Sequence, residues 1–116
     1  MSFDAEALLR RYFASVKARD IATLMQLYAP QGRLVLGSGQ QIVGREALQG
    51  FFEKLFAHSP PSPEPVRIAG SGSDWVAQLQ IKLHSGATQR VLDLFTLTDD
   101  GHIAELAIYM AEPLQP

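Results

Sequence analysis

The apolar residues of this chain change their spacing once, and that change fixes the order in which its elements can be built. Before the cluster Pro60, Pro61, Pro63 and Pro65 they recur at helical spacing; after it they alternate with polar residues at a period of two. Such a chain places its helices first and its strands second. Helices followed by antiparallel strands on tight turns give an α+β fold with the helices on one sheet face.

In the helical half, residues 2–18 carry Ala5, Leu8, Leu9, Tyr12, Phe13 and Val16 on one stripe, with Ser2 as the expected cap. Asp20 caps a second helix with Ile21, Leu24, Leu27 and Tyr28 on its stripe, and Pro30 is expected to end it. Arg33 to Leu36 reads as a short strand, Gly37-Ser38-Gly39 as a turn, and Gln41 to Val43 as a short return strand. Gly44 opens a third helix with the strongest stripe, Leu48, Phe51, Phe52, Leu55 and Phe56, and His58 near its end. The four prolines are expected to form an extended connection, since proline lacks the donor that a ladder needs.

In the strand half, Val66 to Ala69 reads as a strand, followed by a turn at residues 70–73. In the next strand Trp75, Ala77, Leu79, Ile81 and Leu83 point one way. His84-Ser85-Gly86 turns the chain into a long strand, Thr88 to Thr98. Asp99-Asp100-Gly101 is a hairpin signal, and Ile103 to Ala111 is the last strand. A chain of 116 residues fits one domain over residues 1–116, long enough to build a core without a disulfide or structural metal.

Composition narrows the function classes. A net charge of −2 with no basic face argues against nucleic acid as a partner. The apolar runs are too short for a membrane span, and residues 1–6 lack the pattern of a signal peptide. The absence of cysteine excludes disulfides and thiolate chemistry and agrees with a cytoplasmic location. The three histidines do not pair at metal-ligand spacing, so neither a metal nor another cofactor is expected.

Asp93 is the most informative residue. It lies in the apolar strand Val91-Leu92-Asp93-Leu94-Phe95, on the face of Val91, Phe95 and Leu97. If that face meets the helices, its carboxyl needs a partner or a raised pKa, and raised-pKa acids in clefts are candidates for chemistry. Tyr12 lies on the first helix's apolar stripe, where a buried phenol needs a partner for its hydroxyl. Tyr28 is a weaker candidate of the same kind. Phe52 and Phe56 on the third helix and Trp75 and Phe95 on the strands are the aromatic residues expected to line a pocket. Leu92 and Leu94 make the other sheet face apolar as well, which predicts a homodimer through that outer face.

The element order, with three local phrases, resembles nuclear-transport-factor-2-like domains. The phrases are Arg19-Asp20-Ile21 through Leu27-Tyr28-Ala29-Pro30, then Val43-Gly44-Arg45-Glu46-Ala47-Leu48, then Asp93-Leu94-Phe95 followed by Asp99-Asp100-Gly101. This resemblance spans nearly the whole chain. It implies a cystatin-like cone in which a curved, mostly antiparallel sheet wraps around three helices and encloses an apolar pocket. Within that superfamily the chain is similar to ketosteroid isomerases and to SnoaL-like polyketide cyclases. The similarity places Tyr12 and Asp93 where the isomerase holds its two hydrogen-bond donors to an oxyanion. It places Leu36 where the isomerase holds its proton-transferring aspartate, and Leu106, Ile108 and Met110 on the pocket wall. The function so implied is binding of a small apolar ligand, with acid–base isomerisation or cyclisation of a carbonyl compound. A non-catalytic ligand-binding or dimerisation module of the same fold is the alternative.

Overall fold

The computed structural model describes residues 3–58, 60–82 and 85–111. Helix α1 spans Ala5–Ala18 and helix α2 spans Ile21–Leu27; strand β1 follows at Tyr28–Val35 and β2 at Gln41–Val43. Helix α3 spans Arg45–His58, and strands β3 Pro63–Ser71, β4 Asp74–Lys82, β5 Thr88–Leu97 and β6 Ile103–Met110 complete the order. The predicted Ser2 cap, and Leu83 and His84 of the predicted β4 face and turn, lie outside the described residues. Among the described residues no helix is long and apolar enough to cross a membrane.

The starts of α1 and α2 both follow from short acidic side chains. Asp4 accepts a hydrogen bond from the Ala7 amide at 3.0 Å, and Asp20 accepts one from Thr23 at 3.1 Å. Each such cap typically contributes about 1 kcal/mol. Arg19 closes α1 in the left-handed region at φ 57°, its amide reaching the Ser15 and Val16 carbonyls. That tight reversal sends α2 back against α1.

The six strands form one unclosed, curved sheet in the order β2-β1-β6-β5-β4-β3. Every neighbouring pair is antiparallel except β1 with β6, which run parallel with Leu34 opposite Leu106. Period-two reading cannot reveal this pairing, because side-chain alternation is the same in both kinds of ladder.

Two expectations about proline are corrected. Helix α2 ends at Leu27, before Pro30, and Pro30 lies inside β1. It sits where the β1–β6 register shifts between Tyr28 and Arg33, so its missing donor is absorbed by an irregular stretch of ladder. Pro63 and Pro65 likewise belong to β3, opposite Ile81 and Leu79, and are not a strand-free connection. Strand β3 is an outer strand of the sheet, so one row of its backbone groups needs no neighbour and proline is tolerated there.

The helices cover one face of the sheet. On β5 Val91, Asp93, Phe95 and Leu97 are buried, whereas Leu92 and Leu94 are exposed. Leu9, Phe13, Leu24, Leu48 and Leu106 are essentially inaccessible to water and join the inner face in one core. Full burial of such a side chain stabilises the fold by about 1.5–3 kcal/mol. Lys17 of α1 makes an ion pair with Glu64 of β3 and so links the first helix to the sheet edge.

Candidate functional site

A cavity of about 230 Å³ opens between α1, α3 and the inner face of the sheet. Among the described residues its lining is apolar apart from Asp93 and Tyr12, the two that carry polar side-chain groups. Each side chain reaches it for a local reason. Tyr12 and Val16 are four residues apart on α1 and share a helix face, as do Phe51 and Leu55 on α3. Leu36 is held at the end of β1 by the turn to β2, where its amide bonds the Gln40 carbonyl at 2.9 Å and its carbonyl accepts from Gly39 at 2.8 Å. Asp93 stands opposite Ala77 on one side and Ile108 on the other, so the β5 alternation that buries Val91 also turns its carboxyl inward.

Asp93 is only 5% exposed. Burial pushes its pKa up to about 7, and no compensating hydrogen bond or nearby cation holds it down. Among the described residues no buried side-chain polar atom lacks a partner. A carboxyl without a protein donor is therefore in contact with the cavity rather than sealed in the core.

Tyr12 presents a different geometry. Its hydroxyl oxygen lies 2.8 Å from that of Tyr28, and either can be the donor. Burial first, and then the neighbouring Tyr28 and Asp93 side chains, raise the Tyr12 pKa well above its ordinary value. Burial raises that of Tyr28 too. Both phenols are consequently neutral donors at any ordinary pH. The backbone carbonyl of Tyr28 is in turn held by Arg45, whose Nη2 and Nε lie 2.7 and 3.2 Å away. The tyrosine pair is thus anchored from the start of α3.

Of the residues singled out from sequence, Tyr12, Leu36, Phe52, Asp93, Leu106, Ile108 and Met110 come together around the cavity. Tyr28, Phe56, Trp75 and Phe95 do not line it. Tyr28 lies one layer behind Tyr12, fully buried. Phe56 continues the buried stripe of Leu48 and Phe52 beyond the cavity. Phe95 fills the closed end, its ring edge-to-face against Tyr12 and Phe13 at 5.6 and 5.9 Å. Trp75 closes the β3–β4 turn by donating from Nε1 to the Gly72 carbonyl at 3.0 Å, and borders a separate hollow of about 490 Å³ with Val76 and Leu94. Sequence reasoning did not assign Phe51, Leu55, Pro61 and Pro63 to the wall, where they stand with Phe13, Val16, Leu34, Leu79, Ile81 and Val91. The spacing from Phe51 to Leu55 was a usable signal; Pro61 and Pro63 gave none, because the strand that begins at Pro63 was unforeseen.

A six-stranded curved sheet, three helices on its inner face and an apolar cavity holding one acid define a nuclear-transport-factor-2-like protein. Residues 9–106 match the family model of the SnoaL-like domain, and the chain belongs to that family. Solved structures with the same fold include a candidate ketosteroid isomerase from Kribbella flavida DSM 17836. It has a TM-score of 0.81 and 19% identity over 95% of this chain and 79% of that one. A candidate polyketide cyclase from Sinorhizobium meliloti superposes with a TM-score of 0.78 at 20% identity, over 91% of this chain and 99% of that one. The epoxide hydrolase/cyclase-like enzyme SalBIII, of pyran ring formation in the polyether salinomycin, gives 0.80 at 16% identity over 92% and 90% of the two chains. At these identities the likeness concerns the fold. No curated protein matches the sequence.

Proposed function

We propose that this protein is an acid–base catalyst of the isomerase or cyclase kind, acting on an apolar carbonyl compound held in the cavity. The reading is carried by one observation: a single carboxyl, with a pKa near neutrality, in contact with an otherwise apolar hollow beside a neutral phenol. An acid poised near the working pH is suited to moving protons in both directions. In its ionised form Asp93 takes a proton from the carbon next to the carbonyl. The C–H pair moves into the enolate, and the developing oxygen charge is met by the Tyr12 hydroxyl. Asp93 then returns the proton to a different carbon. If Tyr28 donates to Tyr12, the Tyr12 hydrogen is left free for the ligand oxygen. The enzymatic descriptions of the candidate isomerase and cyclase neighbours support the reading at the level of fold.

The test is solvent exchange. Apolar ketones incubated with the protein in heavy water are expected to gain deuterium next to the carbonyl, followed by proton NMR. Asp93→Asn should slow this about 10²–10⁴-fold. A rate in the variant equal to that of the native protein removes Asp93 from the chemistry.

A second reading is favoured by Leu36. It lines the cavity where the resemblance to ketosteroid isomerase puts a proton-transferring aspartate, and among the described residues Asp93 is the one carboxylate on the wall. On that reading the cavity binds its ligand without reaction. In either case we infer that a second copy covers the exposed outer face of the sheet, where Leu92, Leu94 and Tyr109 stand.

A further inference from the structure

We propose that two copies of this chain stack their outer sheet faces with β5 antiparallel on β5, and that Arg90 of each copy enters the hollow between Asp74 and Glu105 of the other. This rests on the reading above only in taking a second copy as the occupant of that face. The orientation, the site that each copy offers and the residue that fills it are carried by the arrangement of charge.

The alternation of β5 lays out the face. Arg90, Leu92, Leu94 and Thr96 are exposed, while Val91, Asp93 and Phe95 between them are buried. Thr96 stands between Asp74 of β4 and Glu105 of β6, and all three border the hollow of about 490 Å³. At the other end of the row Arg90 stands opposite Gln80, and Lys82 lies one outward position beyond it, opposite Thr88. Arg67 lies between these ends, on the outer strand β3, level with Gln78. The face is thus apolar in the middle, basic at one end and acidic at the other. Arg33 already binds Glu105 through Nε at 2.6 Å. Among the described residues neither Asp74 nor Arg90 has an ion-pair partner.

Two identical faces stacked about a two-fold axis have two simple arrangements. An axis along the strands lays β5 on β5 in the same direction and exchanges β4 with β6. Arg90 then meets Arg90, and Asp74 meets Glu105. Like charges set against each other at an interface are costly. An axis across the strands at the level of Asp93 reverses β5 on β5. Arg90 and Thr96 are each three residues from that level, about 10 Å along the strand. Each Arg90 then falls on the partner's Thr96, between its two acids, and Leu92 falls on the partner's Leu94. The usual angle of about 30° between stacked sheets shifts Arg90 sideways there by about 5 Å. That is one strand spacing, which carries it onto one of the two carboxylates.

The hollow suits an arginine. Ala69 and Ala107 on the strands beside it leave room, and Val76 and Leu94 offer an apolar wall for the side-chain stem. The planar head can meet a carboxylate with two parallel hydrogen bonds, which fixes the register as well as adding affinity. The site is complete only when the second copy supplies its arginine.

The experiment follows self-association of the full chain by sedimentation velocity and native mass spectrometry, with Arg90→Glu, Asp74→Arg and the two substitutions combined. Each single variant places like charges at both symmetry-related contacts, so its dimer dissociation constant should rise about tenfold or more. The combined variant restores opposite charges at both contacts and should return close to the native value. So should an equimolar mixture of the two single variants, as a heterodimer resolved by mass. Both residues are exposed, and recovery of the dimer in the mixture shows that each single variant is folded. Preferential pairing of Arg90→Glu with the native chain would indicate the same-direction arrangement and overturn the proposal. A dimer that ignores the single variants, or is weakened by them without recovery, overturns the register and leaves the second copy in place. A native chain that stays monomeric overturns both, and assigns the face to a different partner.

Discussion

The hydroxyl oxygens of Tyr12 and Tyr28 lie 2.8 Å apart, one phenol on the cavity wall and the other sealed behind it. The two positions are not equivalent. Tyr12 can turn its hydroxyl to the cavity, whereas Tyr28 has no other partner among the described residues.

Tyr12→Phe should therefore cost more stability than Tyr28→Phe. Removing the Tyr12 oxygen strands a fully buried hydroxyl, with a penalty of about 1–3 kcal/mol. Removing the Tyr28 oxygen leaves Tyr12 an alternative. The double variant should recover part of the Tyr12→Phe loss, because no polar group is then orphaned. Urea unfolding of the three variants measures the coupling, and strictly additive losses would refute the asymmetry.

Asp93 should make the fold less stable as pH rises. Its pKa is about 7 in the folded protein against 3.8 when unperturbed, so between those values the folded state binds more protons than the unfolded one. Stability from this group is highest below about pH 4, declines through pH 7 and is then flat. The full effect is up to about 4 kcal/mol. Asp93→Asn removes the titrating group, so it should match the native protein near pH 4 and exceed it at pH 8. Denaturant midpoints across that range test this; a variant less stable at pH 8 contradicts it.

That penalty also explains what the sequence could reveal. A charged residue inside an alternating apolar strand is locally inconsistent, and Asp93 was legible for that reason. Tyr12 was legible from its place on the α1 stripe. Helix spacing, the Asp20 cap and the hairpin signal at Asp99-Asp100-Gly101 located most elements to within a few residues, whereas the cap expected at Ser2 is supplied by Asp4. What could not be read depends on neighbours far along the chain. The parallel β1–β6 pairing, with Leu34 opposite Leu106, decides that Leu34 faces the cavity. The edge position of β3 decides that Pro63 can join a ladder and help form the rim. Phe56 and Phe95 share the periodicity of true wall residues, and only the packing of their own layer removes them from the cavity.

The outer sheet face carries its own prediction. Leu94 stands opposite Val76 and Ala107, and Leu92 stands opposite Tyr109, giving an apolar strip that the helices do not cover. If a second copy covers it, Leu94→Lys should convert a dimer to a monomer. An exposed substitution of this kind changes monomer stability by only about 0.5 kcal/mol. Sedimentation velocity of both proteins over a range of concentrations decides the matter. A monomeric native protein, or a variant that still dimerises, removes the outer face as a self-interface.

The last prediction concerns the direction of a pH profile. If ionised Asp93 is the base, the free protein must lose a proton before it can act, so kcat/KM for ketone exchange should rise with pH. The midpoint should fall near the Asp93 value of about 7, with a plateau above it. Burial raises the pKa values of both Tyr12 and Tyr28, so neither gives a descending limb near neutrality. If Asp93 instead acts first as an acid, donating to the carbonyl oxygen, the same group gives a profile that falls through about pH 7. The two profiles have opposite slopes. Measuring exchange with one ketone between about pH 5 and 9 assigns the role, and a flat profile would show that this carboxyl is not titrating in the rate-determining step.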